Sequence, residues 1–474
     1  MKIAFLHYHL KTGGVTTVIR QQLEALKSSC ELLLITGEPA RQSFPATILS
    51  IPGIAYDNPA KTQPDSLQTA KAIKKAIYSH WPTGCDLLHV HNPTMAKNKN
   101  LLEILKYLQH FGIKLFLQIH DFAEDGRPAL YYKDNYPANC HYGVINSRDY
   151  QILLKSGLSS KGLHLLQNAV TPIRQVPILD DHLEETKAEF ILYPIRALRR
   201  KNIGEAILLS LFFPKKTSLI ITLPPNSPLD IKSYQSWQAF VADKKLNVKF
   251  GSELKNNFPK MVQSASSLIT TSISEGFGFS FLEPWTASKI VWGRILADIC
   301  NDFQKNGMRL DHFYNSLDIP LQALNAEMFF EKMRDCILVN SAKFNFNTAN
   351  NRIQAAFEKI THNNRVDFGL LNESMQQQVI NWILASDKNF SKMLELNPYL
   401  YSPGQVIDPE ALIKHNAQVV QTSYNQTVYQ KNLLSVYNMV IQNDICQKIE
   451  KEILLKYFFN LEQFSLLKWS DDLG

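Results

Sequence analysis

The feature that most constrains this chain is an alternation, sustained twice along its length, of short unbroken apolar runs and longer stretches with helical spacing. Runs at 2–8, 31–36, 86–90, 114–120, 142–146 and 163–166 carry few polar interruptions, while 15–27, 67–79, 100–110 and the stretch from Ser147 onward repeat apolar residues three and four apart. Strands that are apolar on both faces belong in parallel sheets, and the intervening helices cover those faces. A Pro-bearing stretch up to about residue 65 reads as irregular. From 171 to 189 the alternation stops, and Pro172, Pro177 and the acidic cluster Asp180, Asp181, Glu184 and Glu185 read as a linker or hinge. It restarts with strands at 190–193, 218–223, 248–250 and 267–271 and helices at 203–213, 234–242 and 258–264. Beyond about residue 350 strand signals fade, and 374–384, 410–420 and 430–459 are helix-patterned with apolar faces. The expected architecture is α/β: a Rossmann-like lobe over 1–175, a second over 176–349, and a helical extension over 350–474. Two such lobes in tandem should face a central cleft, because open parallel sheets bind ligands beyond the carboxyl ends of their strands.

Bulk properties narrow the function classes. The 474 residues suit two or three domains. The net charge of +7 is spread thinly, with no dense Lys/Arg run, so nucleic-acid binding is not indicated. The six cysteines form no C-x-x-C and no metal-ligand spacing, which points to reduced thiols and no metal site. The N-terminal apolar run is too short for a signal peptide, and no stretch reaches the ~18–20 apolar residues of a membrane span. A cytoplasmic protein without integral membrane association is expected, and a homo-oligomer is compatible with the sequence.

Four places carry chemistry, each just after a strand. Gly13-Gly14 lies between the first strand and first helix, where paired glycines admit a ligand to the backbone and a helix N-terminus offers N–H groups to phosphate; a plain tight turn is the alternative. The G-x-G-x-x-G spacing of a dinucleotide site is absent. His120-Asp121 ends another strand, either facing a ligand or bonded to backbone. Arg196 and Lys201, thickened by Arg199 and Arg200, follow the first strand of the second lobe. They could hold an anionic leaving group or form a solvated basic loop. The fourth is Glu275-Gly276-Phe277-Gly278-Phe279-Ser280-Phe281-Leu282-Glu283, entering a helix that Pro284 begins. Ser280 with Glu283 also fits a capping box, whereas Glu275 sits on the loop and has no such role.

Glu275 and Glu283, separated by seven residues and opening on Glu-Gly-Phe-Gly, resemble the E-x7-E signature of family-4 retaining glycosyltransferases with the GT-B fold. Gly13-Gly14 is similar to that family's glycine loop, His120-Asp121 to its His-Asp, Arg196 and Lys201 to its Arg/Lys pair, and Gln167-Asn168-Ala169-Val170 to its Asn-Gly-Val with Ala for Gly. The landmarks run in family order over roughly 1–340. The resemblance implies an acceptor lobe at 1–175 and a donor lobe at 176–349. It implies that Glu283 binds ribose hydroxyls and that Glu275, with the amides of Phe277 and Gly278 beside Gly276, contacts the transferred sugar. Arg196 and Lys201 would hold the diphosphate, Gly13 and Gly14 approach it from the other lobe, and His120 steady charge on the sugar. The family's small-residue run and Gly-x-Pro after the second Glu are replaced by residues 284–294, where Arg294 is either a ligand contact or an ion-paired arginine.

The implied reaction moves a hexose-type sugar from a UDP- or GDP-sugar to an unidentified acceptor hydroxyl with retention, by front-face substitution, using the nucleotide sugar as co-substrate and no cofactor. Acceptor candidates are His91, Asn92, Asp121 and Arg127, with Tyr131, Tyr132 and Tyr136 either stacking on sugar or packing the loop. Three rivals use the same features. A glycosidase would release sugar without a nucleotide, and a nucleotide-sugar epimerase would form product without acceptor. A non-catalytic glycosyltransferase-like binding subunit would be expected to lose the charged landmarks, which here are all in place.

Overall fold

The computed structural model describes residues 1–58, 60, 64–174, 189–251 and 258–470. Pro177 and the acidic cluster read as a linker lie outside the described residues. The chain forms two compact units, Met1–Val170 with Thr422–Phe459, and Thr171–Gln421 with Asn460–Gly474.

The first unit is built on seven parallel strands: β1 (Lys2–His7), β2 (Glu31–Thr36), β3 (Thr47–Ser50), β4 (Leu87–His91), β5 (Leu115–Ile119), β6 (His141–Val144) and β7 (Leu163–Leu165). Their order is β3-β2-β1-β4-β5-β6-β7. Side chains alternate across the pleat, so Ala4, Leu6 and Tyr8 enter one core while Ile3 and Phe5 enter the other. Helices α2 (Ser66–His80), α3 (Leu101–His110) and α4 (Ser147–Lys155) cover the first face; α1 (Gly14–Leu26) and the helix Gln426–Gln442 cover the second. This two-sided burial is why the strands read as continuous apolar runs. The order reverses between β1 and β4, which places the ends of β1, β4 and β5 around the switch point where doubly wound sheets bind ligands.

The second unit repeats the plan with β8 (Phe190–Arg196), β9 (Ser218–Leu223), β10 (Val248–Phe250), β11 (Ser267–Thr270) and β12 (Val291–Gly293), all parallel in the order β10-β9-β8-β11-β12. Here the reversal falls between β8 and β11. Pro194 removes a ladder donor inside β8, and the register slips between Tyr193 and Arg196. Helices α5 (Ile203–Ser210), α6 (Pro228–Asp243), α7 (Phe258–Ser264) and α8 (Glu283–Thr286) follow their strands. No helix of the described residues is long and apolar enough to cross a membrane.

Several local readings differ from the structure. The stretch up to residue 65, read as irregular, contains β3, and the run after Glu283 contains β12. The region beyond 350 also holds a strand, β14 (Arg365–Asp367), antiparallel to β13 (Asp318–Pro320). The stretch 430–459 is not one helix: Gln426–Gln442 and Lys451–Phe458 are helical and 443–450 is not. Polar pairing outcompetes helix there. The Gln447 carbonyl accepts from the Asn139 amide at 2.8 Å, its Nε2 donates to the carbonyls of Cys140 and Gly162, and its Oε1 accepts from the Ser159 amide. A Cβ at Gly162 would lie 2.4 Å from Gln447 Nε2, so the glycine makes this crossing fit. Residues 350–474 do not stand apart as a body of their own; they divide between the two units.

The second unit is organised around a buried arginine. Arg294, just beyond β12, makes paired contacts to Glu205 of α5 (2.9 and 2.7 Å) and to Asp367 of β14 (2.7 and 2.6 Å). Glu205 also accepts from the Tyr314 hydroxyl at 2.6 Å and from Asn202 Nδ2 at 2.7 Å. Arg294 is therefore an ion-paired structural residue. Removing one partner of a buried, hydrogen-bonded pair strands the other charge and costs about 3–5 kcal/mol. Arg294→Met should destabilise the second unit by that amount, read as a lowered urea midpoint at unchanged m-value. A loss below about 1 kcal/mol would mean the network relaxes around the change.

Candidate active site

In the second unit the landmarks come together at the ends of β8 and β11. After Arg196 the chain turns through Arg199–Lys201 into Asn202, which takes a left-handed conformation (φ 52°). The Lys201 carbonyl accepts from the Tyr193 hydroxyl at 2.6 Å, and Thr271 Oγ1 donates to the carbonyls of Lys201 and Asn202. Asn202 is held in turn by Glu205 and by Gln376, whose Nε2 donates to Asn202 Oδ1 at 2.9 Å. The basic residues then part company. Arg199 turns inward onto Glu373, with Ser233 on the same carboxylate, and is structural. Arg200 NH1 donates to Glu275 Oε2 at 3.1 Å and to the Ser274 carbonyl at 2.8 Å, while Lys201 Nζ contacts Glu275 Oε1. Arg196 places NH1 on the Pro224 carbonyl at 3.0 Å.

These contacts set the electrostatics. Burial works to raise the Glu275 carboxyl, but Lys201 and Arg200 outweigh it and hold it at about 2. Burial lowers Lys201, and the Glu275 carboxylate opposes that. Glu283 is the reverse case: burial raises it to about 7, and Lys201 only partly offsets this. The capping-box alternative falls away, because Leu282 is the residue before α8 and no side chain caps it. Ser280 Oγ is enclosed without a hydrogen-bond partner. Gly278 has φ 93°, a region that favours glycine, and the amides of Gly278, Phe279 and Ser280 donate to no acceptor among the described residues. Gly276 and the buried Phe277 form the approach to this turn, with Phe277 against Phe279 and Phe303. The result is a lysine paired with a fixed carboxylate and within electrostatic reach of a carboxyl raised to about 7, on a lobe that also offers backbone donors and an unsatisfied hydroxyl.

In the first unit Gly13 and Gly14 lie exposed at the start of α1, and a Cβ on Gly14 would meet nothing within 4 Å. The loop is open, with space for a ligand against its backbone. His120 follows β5 and is buried, with Nε2 2.9 Å from Nδ1 of His91. Burial depresses both imidazoles, His120 to about 4 and His91 well below its ordinary value. Three acceptor candidates prove to be partly or wholly structural. His91 is enclosed within the sheet face. Asn92, at φ 56°, uses Oδ1 to accept from the amides of His120 and Asp121 at 3.3 and 3.1 Å. Asp121 pairs with Arg127 at 2.9 Å, both partly exposed.

The tyrosines of the same loop pack rather than stand free. Tyr132 donates to the Asn98 carbonyl, and Tyr136 to the Thr94 carbonyl and Glu124. Lys451 lies 4.0 Å from the Tyr131 ring centroid and 4.7 Å from that of Tyr136. Sequence reasoning missed Lys451 and the Tyr193–Thr271 clamp, because nothing in the local pattern signals a residue whose partner is far along the chain, and it read Ser280 only as a possible cap.

No family model matches the chain. It is 25% identical over 432 residues, 83% of each chain, to the mannosylglucosyl-3-phosphoglycerate synthase of Petrotoga mobilis. Among solved structures it resembles the sucrose-phosphate synthase of Thermosynechococcus elongatus, with 13% identity, a TM-score of 0.54, and coverage of 92% of this chain and 98% of that one. A glycosyltransferase of Rickettsia africae matches at 13% identity and a TM-score of 0.53, covering 93% and 99%. Anabaena HepE, solved in complex with UDP-glucose, matches at 11% identity and a TM-score of 0.54, covering 92% and 100%. The two switch-point sheets and the likeness to these solved structures give the chain the GT-B fold, and its likeness to the Petrotoga synthase supports a glycosyltransferase activity.

Proposed function

We propose that this glycosyltransferase retains anomeric configuration, moving a hexose from a UDP- or GDP-sugar to an acceptor hydroxyl in the cytoplasm by front-face substitution. The observation that carries the reading is Lys201, paired with Glu275 and within electrostatic reach of Glu283 at the switch point of the second sheet. Lys201, with Arg196, neutralises the diphosphate as it leaves, and fixed cations are worth most where charge grows in the transition state. Glu275 stays ionised and accepts hydrogen bonds from sugar hydroxyls. Glu283 and the enclosed Ser280 hydroxyl serve the ribose side, and the amides around Gly278 face phosphate or sugar oxygens. In the first unit Gly13 and Gly14 approach the donor and His120 bonds the transferred sugar. The acceptor hydroxyl attacks on the face the diphosphate departs, and a phosphate oxygen takes its proton, so no protein nucleophile and no metal ion enters the scheme. HepE, whose structure holds UDP-glucose, supports a nucleotide-sugar donor. A glycosidase needs an uncommitted carboxylate nucleophile; Glu275 has both oxygens engaged by Lys201 and Arg200.

The acceptor is proposed to carry a phosphate or carboxylate. Lys97 Nζ lies 3.1 Å from the Tyr56 hydroxyl and 4.8 Å from its ring centroid, with no carboxylate within 4 Å among the described residues. Burial lowers this ammonium and the Asp121 carboxylate only partly offsets that, so a ligand anion beside it would be favoured. The name of the Petrotoga relative carries a 3-phosphoglycerate.

Lys201→Ala or Arg196→Ala should lower kcat by about 10²- to 10³-fold and weaken thermal stabilisation by nucleotide sugars. Sugar transfer surviving both changes would remove the diphosphate assignment. Lys97→Met should raise KM for phosphorylated acceptors about tenfold and leave neutral sugars unaffected; equal loss on both would exclude an anion contact. For Glu283, a folded-state value raised to about 7 contributes stability that is present below its unfolded value and lost as pH rises through 7. Melting of the ligand-free wild type should therefore fall relative to Glu283→Gln between pH 5 and 8. Glu124, also raised to about 7 by burial, has the same sign in both proteins and cancels. Parallel curves would place Glu283 in a solvated setting.

A further inference from the structure

The inner face of the first sheet carries a column of polar rings. His89 and His91 lie two residues apart on β4, and Gln118 and His120 share a face at the end of β5. His89 Nε2 lies 2.9 Å from Gln118 Oε1, and its Nδ1 lies 2.8 Å from the Tyr437 hydroxyl. Gln22 of α1 donates to the same Gln118 oxygen at 2.8 Å and to Tyr429 at 2.8 Å. The His89 ring stacks on His91 with centroids 4.3 Å apart and planes at 24°. His91 Nδ1 meets His120 Nε2 at 2.9 Å. Of the two ring nitrogens left over, His91 Nε2 is enclosed without a partner, whereas His120 Nδ1 is not enclosed.

One neutral imidazole must donate in the His91–His120 bond and the other accept. If His120 donated, the single proton of His91 would sit on Nε2, an enclosed N–H with no acceptor. Orphaned buried N–H groups are rarer in proteins than under-used acceptors. We propose that His91 is a positioning residue that donates Nδ1–H to His120 Nε2, so that His120 is held as the tautomer presenting Nδ1–H to its ligand. This rests on the reading of His120 as a sugar contact. It means that His120 offers a hydrogen bond to a sugar oxygen and does not act as a base toward it, and that its orientation is set from inside the sheet. The column also gives the return of Thr422–Phe459 to the first unit a function, because Tyr437 completes the bonding of the ring on which His91 rests.

Nitrogen NMR of the full-length protein labelled with 15N-histidine tests the tautomer without any substrate, His120 being assigned by the signal lost in His120→Gln. The expected spectrum has His120 protonated at Nδ1 and bare at Nε2. Protonation at Nε2, or rapid averaging of the two forms, overturns the proposal. His91→Asn, whose amide can donate from near the Nδ1 position, should keep the tautomer; His91→Leu should release it. With UDP-glucose as the probe, His91→Leu should lower kcat for its turnover at least about tenfold with KM little changed, and His91→Asn should restore most of the loss. A KM-only effect, or equal loss in both variants at equal melting temperature, sinks the positioning role. If His91→Leu does not fold, the wild-type and His91→Asn spectra still decide. The expected tautomer in a protein that does not turn over UDP-glucose counts against the donor reading and not against the His91–His120 bond.

Discussion

The Glu205 carboxylate is shared among Arg294, Tyr314 and Asn202, and the geometry of the second unit follows from that sharing. A carboxylate taken out of water is unfavourable by several kcal/mol unless each oxygen is matched. Here the match is made by groups from three separate places in the chain, so few arrangements of those places satisfy it. Asn202 is one of them, and Asn202 takes a left-handed backbone that few residues adopt readily. Its side chain, held between Glu205 and Gln376, is what makes that conformation stable. The peptide before it belongs to Lys201. The lysine thus points toward Glu275 because a buried ion pair fixes the turn on which it rides.

The same division of labour appears in the basic quartet. Arg199, Arg200 and Lys201 are adjacent and chemically alike, yet Arg199 is committed to Glu373 in the interior while the other two flank Glu275. A short helical turn sends successive side chains in different directions, so adjacency in sequence is poor guidance to shared work. Glu275 and Glu283 differ for a related reason. One lies between two cations and stays ionised; the other is crowded and only distantly compensated, and rises toward neutrality. Two carboxyls eight positions apart therefore differ in hydrogen-bonding character.

Much of the fold was legible because burial on both faces imposes itself on composition. The apolar runs located ten of the parallel strands, and their ends located the glycine loop, His120, the basic turn and Glu275. Short strands such as β3 and β12 escaped because three or four residues carry too little pattern. The break at 443–450 escaped because its cause lies in Asn139, Ser159 and Gly162, remote in sequence and bonded to or packed on Gln447. Asn92 and the loop tyrosines looked like ligand contacts because polar and aromatic residues after a strand fit both roles. Deciding between them requires the partners of each hydroxyl and amide, and those are tertiary facts: Asn92 clasps two amides of the strand end, and Tyr136 closes on Glu124.

That clasp bears on how a histidine can be placed with accuracy at a strand end. The backbone N–H groups of His120 and Asp121 have lost their sheet partners where β5 stops, and Asn92 Oδ1 supplies one acceptor for both. The His120 main chain is then fixed from β4, and its ring is fixed from β4 as well, through His91 two atoms' reach away on the neighbouring strand. Backbone and side chain are referred to the same rigid element. A ring anchored in this way has little freedom to follow a ligand, so under the proposed role of His120 discrimination between sugars would come from where their oxygens fall relative to the ring, and not from adjustment of the imidazole.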